Sequence, residues 1–452
     1  MLKRALAGIW GIVWPLLALA LLICAVLLAV AAVNTWRQGS RQPQVPPLPV
    51  LKVEADTAAA SLATAVRAKT VSGLGNPEAT AAELATLRAH LKQRYPLVFD
   101  KLALETFGEH TLVFTWKGSD AALKPVALMA HQDVVPIAPG TEALWKQPPF
   151  EGKLEGGFVW GRGAFDDKGN LIAELEAVQR LLEDGFAPRR TVYLVFGHDE
   201  EVGGERGVAK VVQALKARGV RFEAVLDEGM FVTEGLLPGI AAPVALVALA
   251  EKGSVSIQLT ATAKPGHSSA PPGPGQSAIG ILSAALARVD AKPLPGGLTG
   301  VAREMFDTLA PEMSGFQRFA LTNLWLFGPV VELSLGKSPT TNALMRTTTA
   351  LTIVQAGNKE NVLPGEAKAV INFRILPGDT AAGVLEFVKR TVADERVEVK
   401  IAGLAFEPSR ISSSQSAFYG HLQRAALEVF PGAKVAPGLM VAATDSRHFE
   451  PI

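Results

Sequence analysis

Beyond residue 50, hydrophobic positions follow two alternating patterns. Short, mostly apolar runs predict buried strands at residues 111–116, 126–130, 191–196 and 224–226. Between the second and third runs, residues 168–184 place apolar side chains at positions 171, 175, 178 and 182, the spacing of one helix face. Residues 205–218 have a similar helical composition. Strands that alternate with helices indicate an α/β fold with a mixed, largely parallel sheet flanked by helices.

The N-terminus forms a separate apolar segment. Residues 5–36 carry no charge and follow Lys3 and Arg4, and they exceed the roughly 20 residues that a membrane-spanning helix needs. We therefore predict a transmembrane anchor over residues 1–36, with the catalytic part exported to a periplasmic, luminal or extracellular compartment. The alternative is a signal peptide cleaved after the small residues 29–31, which would make the protein secreted.

Charge and cysteine content narrow the chemistry. The chain has 44 basic and 43 acidic residues and a net charge of +1, so no basic surface predicts nucleic-acid binding. The single cysteine, Cys24, lies in the apolar N-terminal segment. Metal ligands in the globular part must therefore be histidine, aspartate or glutamate side chains.

Such side chains recur at the ends of predicted strands. His131, an acidic triplet at residues 199–201 and an acidic pair at residues 227–228 each follow a predicted strand. Open α/β sheets place their sites at the carboxyl ends of strands. Alternation along the strand puts Asp133 on the side of His131, where it could orient the imidazole. A glycine-rich turn would let Asp166 approach the same point. Together these residues predict a metal site.

The number of acidic residues is consistent with a hydrolytic site with two metal ions. Two metals can polarise a carbonyl group and lower the pKa of a water between them. A further carboxylate that binds no metal is then needed to accept the proton of that water. The adjacent Glu200 and Glu201 can divide these roles, although Glu200 could instead be a structural acid.

Six motifs occur in the order found in one enzyme family. They are HxDVVP at 131–136, GRGxxDDKG at 161–169, DEExGG at 199–204, LDEG at 226–229, GHSSxP at 266–271 and TDSRH at 444–448. With them the chain resembles the dinuclear zinc peptidase and aminoacylase family from about residue 58 to its end. The segments TTNALMRTTTALT at 340–352 and NVLPGEAKAVINFRILPGD at 361–379 resemble the carboxypeptidase S and N-fatty-acyl-amino-acid hydrolase branch.

The resemblance implies an inner site of five metal ligands, an orienting acid and a general base. The metal ligands would be His131, Asp166, Glu201, Asp227 and His448. His131 and Asp227 would hold one zinc ion, Glu201 and His448 the other, and Asp166 would bridge the two. Co²⁺ or Mn²⁺ could replace zinc. Asp133 would orient His131 and Glu200 would be the general base. Glu228 remains the alternative to Asp227 as a ligand.

The resemblance also implies an inserted, smaller α+β lid or dimerisation domain, and with it a homodimer. The predicted segments are a Pro-rich tether at 37–50, a catalytic domain at 51–251 and 405–452, and the lid at 252–404. Within the lid, the resemblance implies substrate-binding roles for His267, Asn361 and Arg374. Arg374 would hold a substrate carboxylate, a task suited to a planar bidentate donor. Because relatives normally continue well past the position that matches His448, the second catalytic segment is expected to be truncated.

The expected activity is zinc-dependent hydrolysis of an amide bond next to a free carboxylate. The substrate would be a dipeptide, a peptide C-terminus or an N-acyl amino acid, and the enzyme a carboxypeptidase, dipeptidase or amidohydrolase. An apolar insert at residues 298–335 could pack internally or line a groove for an acyl chain. The alternative from another functional class is a non-catalytic binding or receptor module on the same fold.

Overall fold

The computed structural model describes residues 2–73, 80–237 and 239–452, with side chains of the first helix described from Trp14 onward. The helices are α1 (Leu2–Arg37), α2 (Ala55–Arg67), α3 (Ala81–Arg94), α4 (Pro96–Lys101), α5 (Lys168–Glu183), α6 (Val208–Ala217), α7 (Ala278–Asp290), α8 (Gly300–Leu309), α9 (Gly315–Leu321), α10 (Leu324–Leu335), α11 (Pro339–Met345), α12 (Ala381–Val392) and α13 (Ala417–Val429).

The strands are β1 (Ala103–Phe107), β2 (Thr111–Trp116), β3 (Val126–His131), β4 (Lys153–Glu155), β5 (Phe158–Trp160), β6 (Val192–Gly197), β7 (Ala224–Leu226), β8 (Val232–Thr233), β9 (Val244–Glu251), β10 (Gly253–Thr262), β11 (Gly266–His267), β12 (Thr348–Ala356), β13 (Val362–Leu363), β14 (Glu366–Ile375), β15 (Val397–Phe406) and β16 (Lys434–Met440). The chain divides into two compact units. One comprises Met1–Leu48 and Met230–Ala442, and the other comprises Pro49–Gly229 and Ala443–Ile452.

The unit formed by Pro49–Gly229 and Ala443–Ile452 contains a five-stranded sheet in the order β1-β2-β6-β3-β7. Strand β3 runs parallel to both β6 and β7, whereas β1 and β2 join the sheet antiparallel. The sheet is therefore mixed, and the parallel strands occupy the half that carries the predicted ligands. The predicted α/β class is confirmed.

Side chains from alternate strand positions form separate cores on the two faces of this sheet. On one face Phe114 and Phe196 pack with residues of α3, α4 and α5, including Leu171. On the other face Val195 packs with α6 and with Phe449 from the C-terminal segment. Apolar residues on both faces of a strand are what a sheet covered on both sides requires.

The unit formed by Met1–Leu48 and Met230–Ala442 contains a four-stranded antiparallel sheet in the order β12-β14-β10-β15. Helices α7 and α12 pack on it through apolar residues such as Ile281 and Val388. A second, three-stranded sheet has the order β16-β9-β8. The compact units divide after residues 48, 229 and 442 rather than at the predicted lid boundaries of 252 and 404. The inserted lid stays a prediction.

Helix α1 contains the one stretch among the described residues, Trp14–Arg37, that is long and apolar enough to cross a membrane. Its side chains are mostly exposed, as in Leu21 and Leu22. Length and composition thus agree with the predicted anchor and equally with a signal sequence.

Candidate metal centre

Strand pairing brings the predicted ligands to one edge of the sheet. His131 is the last residue of β3 and is paired with Gly197, the last residue of the parallel strand β6. On the other side of β3, Leu128 pairs with Leu226, the last residue of β7, so Asp227 and Glu228 follow directly. The carboxyl ends of parallel strands therefore carry the acidic groups next to the histidine, as predicted.

Three side chains converge closely enough to share one ion. Nε2 of His131 lies 2.9 Å from Oδ1 of Asp166 and 3.4 Å from Oε1 of Glu228. One ligand atom from each residue lies within 4.8 Å of the other two. His131 is buried, Glu228 is half-buried and Asp166 is exposed. One imidazole and two carboxylates form a donor set that zinc accepts, and the exposed Asp166 leaves access from solvent.

Asp133, the predicted orienting acid, contacts the imidazole of His131. Nδ1 of His131 lies 2.9 Å from the backbone carbonyl of Asp133 and 3.4 Å from its carboxylate. That carboxylate also accepts hydrogen bonds of 3.2 Å from the backbone N–H groups of Glu200 and Glu201. The predicted proximity is present, but its basis differs from strand alternation, because β3 ends at His131 and the chain bends at Gln132 before Asp133. Nε2 is left facing Asp166 and Glu228.

Asp167 supports the site and was missed by sequence reasoning. It is fully buried, and its Oδ2 accepts a 3.2 Å hydrogen bond from the backbone N–H of His131. Burial and the nearby charge of Glu228 raise its pKa to about 9. The Asp166–Asp167 peptide bond is cis. The sequence does contain a pattern that could have indicated Asp167, because the glycine-rich turn carries two adjacent aspartates. The prediction gave a role only to the first of them, Asp166.

The two acids after β7 have different surroundings. Oδ2 of Asp227 accepts 2.8 Å hydrogen bonds from the hydroxyl of Thr444 and from the backbone N–H of Ser446. Glu228, by contrast, contributes to the group around His131. Asp227 therefore attaches the C-terminal segment to the sheet, and the geometry favours Glu228, the alternative left open by the sequence, as the ligand.

The remaining predicted ligands lie outside this group of three. Among the described residues, Glu201 and His448 do not complete a cluster with His131, Asp166 and Glu228. Nε2 of His448 lies 3.0 Å from the backbone carbonyl of Gly203. His448 therefore faces the turn that also carries Glu201, which brings these two predicted ligands of the second ion to one turn.

Carboxylates outnumber cationic groups around Glu200, where the charge of His131 is opposed by those of Glu228, Asp133 and Glu201. Burial, with the charges of neighbouring carboxylates, raises the pKa of Glu200 to about 8 and that of Glu201 to about 7. Buried Asp445 has a pKa well above its usual value, first through burial and then through the charge of Glu200. Neither Asp445 carboxylate oxygen has a hydrogen-bond partner among the described residues. A divalent cation would offset this excess of carboxylates, so the residues fit the metal that the sequence predicts.

The sequence model described as Peptidase family M20/M25/M40 matches residues 127–452 of the chain. The chain belongs to this family. The matched region includes the candidate site from the end of β3 to His448. Membership makes the protein a hydrolytic enzyme, and its relatives support metal-dependent amide hydrolysis.

Curated relatives agree with the predicted branch of the M20 family. A probable carboxypeptidase S-like 2 of Dictyostelium discoideum is 40% identical over 94% of this chain and 82% of the relative. The N-fatty-acyl-amino acid synthase/hydrolase PM20D1 of Mus musculus is 43% identical over 86% of this chain and 77% of the relative. Carboxypeptidase S of Saccharomyces cerevisiae is 36% identical over 66% of this chain and 53% of the relative.

Solved structures confirm the fold of this M20-family chain. An M20 family metallo-carboxypeptidase from Sulfolobus solfataricus aligns with a TM-score of 0.62 and 20% identity, covering 88% of each chain. Human carnosine dipeptidase 1 aligns with a TM-score of 0.61 and 16% identity, covering 88% of this chain and 94% of the other. At these identities the likeness concerns the fold alone.

The three predicted substrate-binding residues of this M20-family chain lie in the unit with the four-stranded sheet. His267 in β11 is exposed, and its Nδ1 lies 2.7 Å from the Ser269 hydroxyl. The carbonyl of Asn361 accepts a 3.1 Å hydrogen bond from the Ser268 N–H, so the His267 and Asn361 segments are neighbours. Arg374 is exposed on β14, and no carboxylate of the described residues pairs with its guanidinium. Their substrate-binding roles stay predictions.

Proposed function

We propose that this chain is a membrane-anchored dizinc amidohydrolase that cleaves the amide bond between a fatty acyl group and the nitrogen of an amino acid. The observation that carries the proposal is the convergence of His131, Asp166 and Glu228 at the carboxyl ends of β3 and β7. The acyl class is supported by the N-fatty-acyl-amino acid synthase/hydrolase relative from mouse, 43% identical over 86% of the chain.

The proposed zinc ligands follow from the contacts at the strand ends. His131 and Glu228 would hold one zinc, Glu201 and His448 would hold the other, and Asp166 would be shared between them. Glu228 replaces Asp227 in this set because it lies beside His131 Nε2, whereas Asp227 accepts hydrogen bonds from the C-terminal segment. When bound, zinc would polarise the scissile carbonyl and lower the pKa of the attacking water.

Glu200 is the proposed general base. Its backbone N–H donates to Asp133, the same residue whose carbonyl accepts from Nδ1 of His131. One acid thus positions both the ligand and the base. The carboxylate of Glu200 would accept a proton from the attacking water and then deliver it to the leaving amine nitrogen.

Arg374 is the proposed partner of the substrate carboxylate. Its exposed guanidinium has no carboxylate partner among the described residues, so it can form the bidentate pair that arginine makes with a carboxylate. His267 would donate to the developing oxyanion, and Asn361 would contact the substrate through its amide. Oδ1 of Asn361 is buried and has no partner within the described part of the chain.

The same proposal includes a lid or dimerisation domain at 252–404 and a homodimer.

Anchoring by α1, with export of the catalytic part, completes the proposal. Trp14–Arg37 has the length and composition of a span, and its apolar side chains are exposed. The alternative is a secreted form released by cleavage of this segment. N-terminal sequencing of the mature protein distinguishes the two forms, because cleavage removes the segment.

The test measures hydrolysis by the full chain in lipid nanodiscs, comparing long-chain N-acyl amino acids with matched dipeptides. We expect cleavage of the acyl substrates that a chelator abolishes and zinc restores. Glu200→Gln should keep its zinc and lose about 100-fold or more in kcat. Glu205→Gln, an exposed acid from the same turn region, is the matched control. A preference for dipeptides would overturn the acyl assignment, and full turnover by Glu200→Gln would overturn the assignment of the base.

A further inference from the structure

The last turns of α1 form a polar contact with the junction between α9 and α10. The Asn34 amide donates to the Thr322 carbonyl over 2.9 Å, and the hydroxyls of Thr35 and Thr322 lie 2.9 Å apart. The amide of Gln38 also donates to the Thr322 carbonyl over 3.1 Å. These polar residues near the end of an apolar helix are therefore committed to one partner segment.

Asn323 extends this contact further along α1. It is fully buried, and its amide donates to the Ala31 carbonyl over 3.0 Å and to the Thr35 hydroxyl over 2.8 Å. Ala31 lies six residues before Arg37, the last residue of α1, which corresponds to about 9 Å along a helix. The α9–α10 junction thus lies beside the apolar part of α1 and not only beside its end.

Helix α10 presents apolar side chains to the outside at this position. Trp325, Val330 and Leu333 are 55%, 60% and 68% exposed, and Phe316 of the adjoining α9 is 66% exposed. The only charged residue of α10 is Glu332, whose Oε1 accepts a 2.9 Å hydrogen bond from the backbone N–H of Leu298. Its carboxylate is thereby held against the protein. Among the described residues, no charged side chain of α10 lies on its exposed face.

The attachment to α1 indicates what covers this face. Large exposed apolar side chains that share one region of a protein surface mark an interaction site, and α10 follows directly on the residue that contacts α1, a helix whose own apolar side chains are exposed. Helix α10 is only 12 residues long, or about 18 Å, too short to cross a bilayer. It can lie in the interface, where tryptophan side chains such as Trp325 are enriched.

We propose that α10, together with Phe316, inserts into the interfacial layer of the bilayer that α1 crosses. The inference rests on the proposed membrane anchoring of α1. The apolar insert is then a second membrane contact, fixed to the anchor through Asn323. Lys337, exposed just after α10, would direct its ammonium group to the lipid headgroups.

The test uses an environment-sensitive NBD fluorophore attached to single cysteines of the full chain in phosphatidylcholine vesicles. Native Cys24, in the middle of α1, reports on the anchor. In a Cys24→Ser background, Leu333→Cys reports on α10, and Leu404→Cys, 57% exposed on β15 of the same unit, is the matched control. We expect blue-shifted emission at positions 24 and 333 that lipids with doxyl-labelled chains quench, and unquenched aqueous emission at position 404.

The outcomes separate this inference from the anchoring on which it rests. Quenching at position 24 without quenching at position 333 would keep the anchor and overturn the insertion of α10. The absence of quenching at both positions would overturn the anchor and the inference together. The inference is also wrong if a second copy of the protein covers this face. That outcome would give a blue-shifted label at position 333 that quencher lipids do not affect, together with cross-links between chains of Leu333→Cys.

Discussion

Oε1 of Glu228 lies 3.4 Å from Nε2 of His131, the imidazole nitrogen that also faces Asp166. Asp227, one residue earlier, accepts hydrogen bonds from the hydroxyl of Thr444 and from the segment that follows it. Asp227 therefore attaches the C-terminal segment, and Glu228, beside His131, is the proposed ligand.

This division predicts opposite effects for two matched variants. If the proposed dizinc site is right, Glu228→Ala should reduce the zinc content from two ions per chain to one, because it removes the proposed ligand beside His131. Asp227→Asn should keep both ions and instead lower the free energy of unfolding by about 1–3 kcal/mol, since Thr444 and Ser446 lose a charged acceptor. Elemental analysis of dialysed protein gives the zinc content, and urea denaturation gives the stability. If Asp227→Asn loses zinc and Glu228→Ala retains it, Asp227 is the ligand.

A second prediction concerns Asp133, whose carboxylate accepts backbone hydrogen bonds from Glu200 and Glu201. Asp133→Asn would turn an amide donor towards one of these N–H donors and displace the turn that carries Glu200, the proposed base. We expect kcat to fall by about 10–100-fold, the range found when groups that orient metal ligands are changed, with little change in KM.

The control for Asp133→Asn is Asp120→Asn, a change to an acid that pairs with Arg189 at the surface. Steady-state kinetics with a soluble short-chain N-acyl amino acid avoids any effect of the membrane on either variant. Unchanged kcat in Asp133→Asn at full zinc loading would show that Asp133 does not position the base.

The ends of three strands made the site predictable from sequence. His131 ends β3, the acidic triplet and the acidic pair come after β6 and β7, and the carboxyl ends of parallel strands meet at one edge. The choice between Asp227 and Glu228 was not predictable, because both follow the strand and only tertiary contacts distinguish them. Likewise, no local pattern indicates that Asn323 binds Ala31, which lies 292 positions away in the sequence.

A third prediction follows from Glu174 on α5, which lines an apolar cavity of about 400 Å³ together with Trp116 and Leu128. Its Oε2 has no hydrogen-bond partner among the described residues, and burial raises the pKa of this carboxyl from 4.5 to about 8. Between these pH values the unfolded chain is ionised while the folded chain keeps the proton. The contribution of Glu174 to the free energy of unfolding should therefore fall as pH rises from 4.5 to 8, by at most about 1.4 kcal/mol per pH unit.

Glu174→Gln should remove this contribution, because the amide does not ionise. Wild type and variant should have similar stability near pH 4.5, and the variant should be the more stable above pH 8. Urea denaturation across this pH range measures the difference, with Glu183→Gln, an exposed acid of the same helix, as the control. Parallel pH profiles for wild type and Glu174→Gln would show that Glu174 is ionised in the folded protein.

The fourth prediction concerns the buried amide of Asn323, which donates to Ala31, Thr35 and Phe319. Asn323→Leu keeps the approximate size of the side chain but removes these hydrogen bonds and those that Oδ1 of Asn323 accepts from Asn34 and Trp325. It also leaves the buried acceptors without their donor. We expect a loss of about 1–3 kcal/mol in the free energy of unfolding of the full chain in nanodiscs, together with faster proteolysis after α1. Asn358→Leu, a change in an exposed loop, should have neither effect. Equal stability and equal proteolysis in the two variants would mean that the contact contributes nothing to fixing α1 against the insert.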